Sequence, residues 1–386
     1  MEGKTFNNFS YRFIETVPEL EQMARILGGE KIIGVDLEAD SMYHYFEKVC
    51  LIQLATESHI FVVDPLAVKN LSSFRPVFAD PGIRKVFHGS DYDIRSLYKD
   101  FGIEVNHLFD TQIACKFLGL RETGLEAVLR TKFQVTLDKK FQKKDWSARP
   151  LSLEMIEYAA TDGMHLIPLA RLLERELKDK GRLSWVEEEC ASLSKVRPNL
   201  PSSAPLYFRI KGADRLDPRS LAVLEALLQS RSALAEKMDL PPFKILGKEA
   251  IMEFVLQKPL TIEELGASGI LSQKQKDRFG TRLLAKVQEA MAMREEDLPL
   301  YPRIVRVKVG AAVRRRIKAL KAWRETRAED LQLEPGVILN NALVQAVAEK
   351  NPRYLEDVEE VPGLKKWQRA VFGEDILAML QKENRS

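Results

Sequence analysis

The feature that most restricts how this chain can fold is an ungapped internal repeat in its second half. Arg231 is matched by Arg324, 93 positions later, and at the same offset Ala235-Glu236 falls on Ala328-Glu329. Leu240, Pro242, Ile245 and Leu246 fall on Leu333, Pro335, Ile338 and Leu339. The register continues through Pro259 and Pro352, Glu263 and Glu356, and Phe279-Gly280 and Phe372-Gly373. Turn-forming prolines, core aliphatics and a glycine are kept together, which describes two copies of one small helical unit. Neither copy contains a convincing strand pattern, and apolar residues recur at helical spacing. The copies are expected at 214–296 and 303–386, parted by a break at Asp297-Leu-Pro-Leu-Tyr-Pro302. A linker is expected at 191–213, where Pro198, Pro201, Ser202, Ser203 and Pro205 are too irregular for the interior of an element.

Residues 1–190 read differently. Lys31-Ile-Ile-Gly-Val-Asp36, Val49 to Ala55, Ile60-Phe-Val-Val-Asp64 and Lys85-Val-Phe-His88 are strand-length apolar runs bounded by Gly, Pro or Asp. Helical spacing follows at Leu125 to Leu129 and from Leu153 to Leu173. This alternation predicts an α/β domain with a mixed sheet flanked by helices, followed by two all-α bundles.

A chain of 386 residues, 45% hydrophobic and 30% charged, can bury cores of this number and size. No run of roughly 18 apolar residues and no charged-then-apolar leader pattern is present, so neither membrane insertion nor secretion is expected. Cys50, Cys115 and Cys190 lie far apart in apolar sequence, without the spacing of a disulfide or zinc framework. They fit reduced, buried thiols of a cytoplasmic protein.

The chemistry is carried by acids. Asp36 and Glu38, at i and i+2 at the end of an apolar run, project from one face of a strand. Asp91 and Asp93 fall where a helix should begin after the strand ending near His88. Tyr158 and Asp162, at i and i+4 in a helical stretch, share one helix face. Carboxylates gathered at a sheet edge repel one another, and divalent cations held by oxygen ligands are the usual resolution. Two such ions about 3.5–4 Å apart can activate a water and stabilise the leaving oxygen of a cleaved phosphodiester.

Basic residues cluster twice. Lys139, Lys140, Lys143 and Lys144 flank Phe141. Between Tyr301 and Arg327 stand ten basic residues (Arg303, Arg306, Lys308, Arg314, Arg315, Arg316, Lys318, Lys321, Arg324 and Arg327) against one acid, Glu325. With Trp323 among them they suit phosphate contact and base stacking.

Val35-Asp36-Leu-Glu38, Asp93-Ile-Arg-Ser-Leu97 and Tyr158-Ala-Ala-Thr-Asp162 resemble the three exonuclease motifs of the DEDDy superfamily. Cys50-Leu-Ile-Gln-Leu54, Asp110-Thr-Gln112 and Asp145-Trp-Ser-Ala-Arg-Pro-Leu151 extend the resemblance to the bacterial ribonuclease D family. The helical copies resemble the paired HRDC domains of that family. The resemblance implies a ribonuclease H-like exonuclease domain, hydrolysis of RNA from its 3′ end to nucleoside 5′-monophosphates, and tRNA precursors among the substrates. It also implies two Mg²⁺ or Mn²⁺ ions held by Asp36, Glu38, Asp93 and Asp162, with Asp36 bridging and Tyr158 positioning the attacking water. Only Asp93, not Asp91, is followed by the matching Ile-x-x-Leu. Gln53, His88, Trp146 and Arg149 become candidates for RNA contact or support, beside Arg314, Arg315 and Arg316 in the basic helix. The competing readings are a DNA 3′–5′ exonuclease and an inactive RNA-binding scaffold; no obligatory protein partner is expected. Because every candidate ligand precedes the linker, a fragment ending between Cys190 and Pro198 is expected to fold and cleave.

Overall fold

The computed structural model describes residues 4–6, 9–198, 203–302 and 310–385. Pro201 and Ser202 of the linker, Arg303, Arg306 and Lys308 of the basic run, and the side chain of Asp162 lie outside the described residues. Packing divides the chain into two compact units, one of Met1–Ala39, Val49–Pro198 and Arg306–Ser386, the other of Asp40–Lys48 and Asn199–Val305.

In the first unit, seven strands form one mixed sheet: β1 (Lys4–Phe6), β2 (Phe9–Ile14), β3 (Ile32–Ala39), β4 (Val49–Ala55), β5 (Ile60–Val63), β6 (Arg84–Phe87) and β7 (Leu108–Asp110). Their order is β1-β2-β5-β4-β3-β6-β7. β4 pairs antiparallel with both β3 and β5, while β2·β5, β3·β6 and β6·β7 are parallel. The four apolar runs become β3 to β6. The remaining strands escape a periodicity reading: β7 has three residues, and β1 and β2 lie in a segment whose polar residues mask the alternation.

Side-chain alternation sorts the two faces of the sheet. Ile33, Val35, Ile52, Leu54, Phe61 and Val63 belong to a core with Leu20, Met23 and Leu27 of the helix Val17–Gly28 and Phe74 and Phe78 of the helix Phe74–Ala79. The other face carries Gly34, Asp36 and Glu38 of β3 opposite Ala55, Gln53 and Leu51 of β4. The helix Leu153–Met164 covers it, started by Ser152, whose hydroxyl accepts from the Met155 amide. It stops at His165 and a second helix runs from Leu166 to Asp179, so the single stretch expected from Leu153 to Leu173 is two elements. The first packs unusually close to the sheet. A Cβ on Gly34 would stand 3.2 Å from the Gly163 carbonyl oxygen, and one on Gly163 would stand 3.6 Å from Gln53 Cβ.

The second helical copy belongs to this same unit. Its helices are Ala311–Leu331, Pro335–Ile338, Asn341–Lys350, Leu355–Glu359 and Lys366–Arg385. Trp367 stacks on Trp185, centroids 4.8 Å apart at 17°, and meets Phe117 edge-on. Arg182, almost wholly buried, donates to the carbonyls of Phe117 (2.9 Å) and Leu331 (2.7 Å). The expectation of a self-sufficient fragment ending at Cys190 to Pro198 is therefore corrected. Such a fragment would uncover Trp185 and Phe117 and strip a buried guanidinium of one acceptor, because the core runs on into residues beyond the linker.

The other unit contains the first copy: Pro218–Met238, Pro242–Ile245, Lys248–Gln257, Ile262–Ala267 and, after a short 273–280 stretch, Thr281–Met291. Leu221, Leu224, Leu228, Ile245, Phe254, Leu283 and Val287 fill its core. Among the described residues, no helix is long and apolar enough to cross a membrane. All three cysteines are buried, and burial pushes the thiols of Cys115 and Cys190 up to about 12.

Candidate active site

Asp36 and Glu38 stand at the C-terminal end of β3, where a bulge interrupts the β3·β4 pairing between Glu38 and Ala39. Bulges recur beside functional sites because the extra residue re-aims the side chains around it. Asp36 keeps some surface open to solvent yet is closely surrounded by protein, and burial pushes its carboxyl up to about 6. Hydrogen bonding from the Leu37 amide opposes this but does not overcome it.

Asp93 reaches the same place from another element. It is the third residue of the helix Asp91–Phe101, which follows β6 through a turn at His88, Gly89 and Ser90. Gly89 has φ +75°, a backbone region in which side chains are strained. Asp110, fully buried, ties the turn down. Its carboxylate accepts from the Gly89 amide (3.0 Å), the Ser90 amide (2.7 Å) and hydroxyl (2.8 Å), and the Gln112 (2.8 Å) and Ile113 (3.2 Å) amides. Farther along, Asp100 accepts from the Val49 amide at 2.8 Å, anchoring the helix to β4. Burial, then the charges of Asp36 and Asp110, push the Asp93 carboxyl well above the usual range. Asp91 turns outward instead: Arg95 holds it at 2.8 and 3.0 Å, which lowers its carboxyl. Tertiary structure thus separates two acids two residues apart.

Tyr158 lies on the helix over the Asp36 face, half-buried, its ring edge-on to Phe141 at 5.6 Å and tilted against Trp146 at 6.1 Å. Asp162 is on the same helix, next to the Gly163 contact with β4. Among the described residues no three His, Cys, Asp or Glu side chains are grouped to hold a metal ion, and the Asp162 side chain is not among them. The donor chemistry nevertheless fits a hard cation. Two carboxylates from separate elements both resist ionisation, Asp36 through burial and Asp93 through burial and the charge of Asp36, a condition that divalent charge relieves.

The residues expected to touch or support RNA divide. Gln53 is fully buried. Trp146, 1% exposed, is the wall behind Tyr158. Arg149 spends all five guanidinium N–H groups on protein: two on Asp64 (2.6 and 2.8 Å) and one each on the carbonyls of Trp146, Ala148 and Cys50. His88 packs its Nδ1 against the Thr111 hydroxyl at 2.9 Å, and burial lowers its pKa despite the Asp110 charge. The side chains of these four are thus enclosed by or bonded to protein, which fits the supporting one of the two roles open to them. In the basic helix Arg314 and Arg315 are exposed, whereas Arg316 donates to the Ala348 carbonyl at 2.8 Å. Arg324 is buried against the Leu339 carbonyl, Arg327 pairs with Asp375, and Trp323 packs edge-on to Phe372. Lys139 and Lys140 pair with Glu126 and Glu154.

Gly34 has no catalytic signature in the sequence, and Asp110 enters there only within the Asp110-Thr-Gln112 motif, with no role assigned. The signal that could have found its bracing role is local, an Asp directly before a helical Thr-Gln, the usual form of a helix cap.

A family model described as a 3′–5′ exonuclease matches residues 11–178, and one described as an HRDC domain matches twice, at 220–287 and 313–380. The chain is 30% identical over 370 residues to a protein named ribonuclease D from Gluconacetobacter diazotrophicus, covering 95% of this chain and 92% of that one. It is 30% identical over 291 residues to the Escherichia coli protein of the same name, covering 75% and 77%. The solved Escherichia coli structure, described as an exoribonuclease involved in structured RNA processing, superposes with a TM-score of 0.72 at 26% identity, over 97% of this chain and 99% of that one.

Proposed function

We propose that this chain, which belongs to the ribonuclease D family, hydrolyses RNA stepwise from the 3′ end, releasing nucleoside 5′-monophosphates and trimming structured precursors such as those of tRNA. One observation carries the reading. Burial pushes the carboxyl of Asp36, at a strand end, up to about 6, and burial together with the charge of Asp36 pushes that of Asp93, in a helix's first turn, well above the usual range. A scaffold that only binds RNA has no need of that repulsion. Asp36, Glu38, Asp93 and Asp162 are the residues that would hold two divalent ions, Mg²⁺ or Mn²⁺. Ions held there would supply charge stabilisation at the cleaved phosphodiester and acidify the attacking water. Tyr158, whose ring is fixed by Phe141 and Trp146, orients that water through its hydroxyl. A phenol with a pKa of about 10 is too weakly acidic to serve as a free base at neutral pH. Arg314 and Arg315, exposed on the basic helix, contact RNA phosphates. Domain limits at 1–190, 191–213, 214–296 and 303–386, and a cytoplasmic setting suited to buried thiols, complete the reading.

The test is digestion of matched 3′- and 5′-labelled RNA and DNA oligonucleotides with and without Mg²⁺ or Mn²⁺, for the wild-type chain and Asp36→Asn. Metal-dependent shortening of RNA from its 3′ end is expected, abolished in the variant. Equal cleavage of both oligonucleotides in chelator, or near-normal cleavage by Asp36→Asn, sinks the reading. The fold should survive the substitution. Because the Asp36 carboxyl is raised from 3.8 to about 6, the metal-free native state holds this proton more tightly than the unfolded chain. Its contribution is present below pH 3.8 and is lost as pH rises through about 6. Metal-free Asp36→Asn should therefore gain on the wild type over that window, by on the order of 2 kcal/mol at neutral pH.

A further inference from the structure

Gln53 is fully buried, and neither atom of its amide has a hydrogen-bond partner. Buried side-chain amides nearly always pair, so an amide left wholly unpaired calls for a reason. Its position supplies one. In the β3·β4 register Gln53 lies directly opposite Asp36, on the same face of the sheet. Side chains so paired start with their Cβ atoms about 4.5–5.5 Å apart. From above, Gly163 closes against Gln53 Cβ, and from the next strand Val62 stands in register with it. The amide is therefore enclosed beside the carboxylate, with no route to bulk solvent.

We propose that Gln53 is a positioning residue for the metal-holding carboxylates, its amide pairing with Asp36 only in the arrangement that site takes when it holds a divalent cation. The inference rests on the metal-site reading above. A carboxylate oriented by a cation presents a fixed oxygen to a neighbouring N–H, and partners of this kind in other metal sites fix ligand geometry and raise metal affinity. In the metal-free chain the amide is a standing cost, because a desolvated donor and acceptor go unsatisfied. Its retention in an otherwise apolar strand is what the proposal explains.

Two near-isosteric variants test it in the full-length chain, read by calorimetric titration with Mn²⁺ and by thermal melting with and without Mn²⁺. Gln53→Met removes the unpaired amide. Its metal-free melting temperature should rise, while its Mn²⁺ dissociation constant weakens by about tenfold, the lower range for such partners. Gln53→Glu places another negative charge beside Asp36, so the metal-free chain should melt lower and bind Mn²⁺ more tightly. A residue that only packs would leave the dissociation constant of Gln53→Met unmoved, which overturns the proposal. So does a metal-free Gln53→Met chain that melts below wild type, since the amide would then have a structural partner. Absence of Mn²⁺ binding by the wild-type chain removes the metal site itself, whereas wild-type binding with an unchanged constant for Gln53→Met removes only the role of Gln53.

Discussion

The two helical copies obey the same local rules and are fastened to different parts of the chain. Their long helices, Pro218–Met238 and Ala311–Leu331, are each 21 residues long and end in a left-handed residue, Asp239 (φ 46°) and Gln332 (φ 53°). The helices Lys248–Gln257 and Asn341–Lys350 end alike at Lys258 and Asn351. Arg231 and Arg324 both donate to a carbonyl fifteen residues on, that of Leu246 at 3.4 Å and of Leu339 at 2.9 Å. Divergence begins at the surfaces. In the first copy Ser272 and Gln275 form a capping box, so the segment satisfies its own amides. In the second, Lys365 stands at the Ser272 position, and Glu188, from the helix Leu183–Leu193, accepts from the Lys366 (2.8 Å) and Trp367 (2.9 Å) amides instead. Lys365 and the Trp367 indole both engage Glu189. Trp367 replaces an exposed Lys274. The left-handed ends diverge too. Asp239 accepts from the Tyr45 and Phe46 amides (3.0 Å each) and meets His44 Nδ1 at 2.8 Å, whereas a Cβ on Gly119 would collide with the Gln332 carbonyl oxygen. One helical frame is thus specialised by a few residues at the ends of its helices.

The largest effect should come from removing the second copy. A chain ending at Pro198 should lose on the order of 5 kcal/mol of stability or more in urea melts, because both Trp185 and Phe117 lose their cover. A fragment as stable as the intact unit would break the contrast. Trp367→Lys, which gives the second copy the first copy's residue, should cost about 3–5 kcal/mol. The converse Lys274→Trp should stay within about 0.5 kcal/mol, since nothing in its own unit waits for an indole. Asp239→Ala should cost about 1–2 kcal/mol and speed hydrogen exchange of the Tyr45 and Phe46 amides, leaving exchange at Gln332 unchanged. The smallest difference separates the shared arginines. Arg324→Met should cost about 1–2 kcal/mol and Arg231→Met less than about 1, following their bond lengths, and a reversed order would show that these contacts do not set the two copies' stabilities.

What the amino-acid sequence determined by itself is whatever short-range chemistry controls. The repeat, the turn prolines, the strands β3 to β6 and the D-x-E pair on one strand face follow from periodicity and from conformational limits of single residues. Other decisions belonged to the tertiary structure. Asp91 and Asp93 are equally acidic and two residues apart, yet one meets Arg95 and the other Asp36, because helix placement, through Asp110 and Asp100, decides which side faces the sheet. Arg149 and Arg314 are alike as residues, but five protein acceptors consume the first while the second remains exposed. The linker at residues 191–213 suggested that everything before it would fold alone, and Trp367, far along the chain, closes that core. Burial and pairing depend on which distant segments meet, and residue type and spacing do not encode that locally.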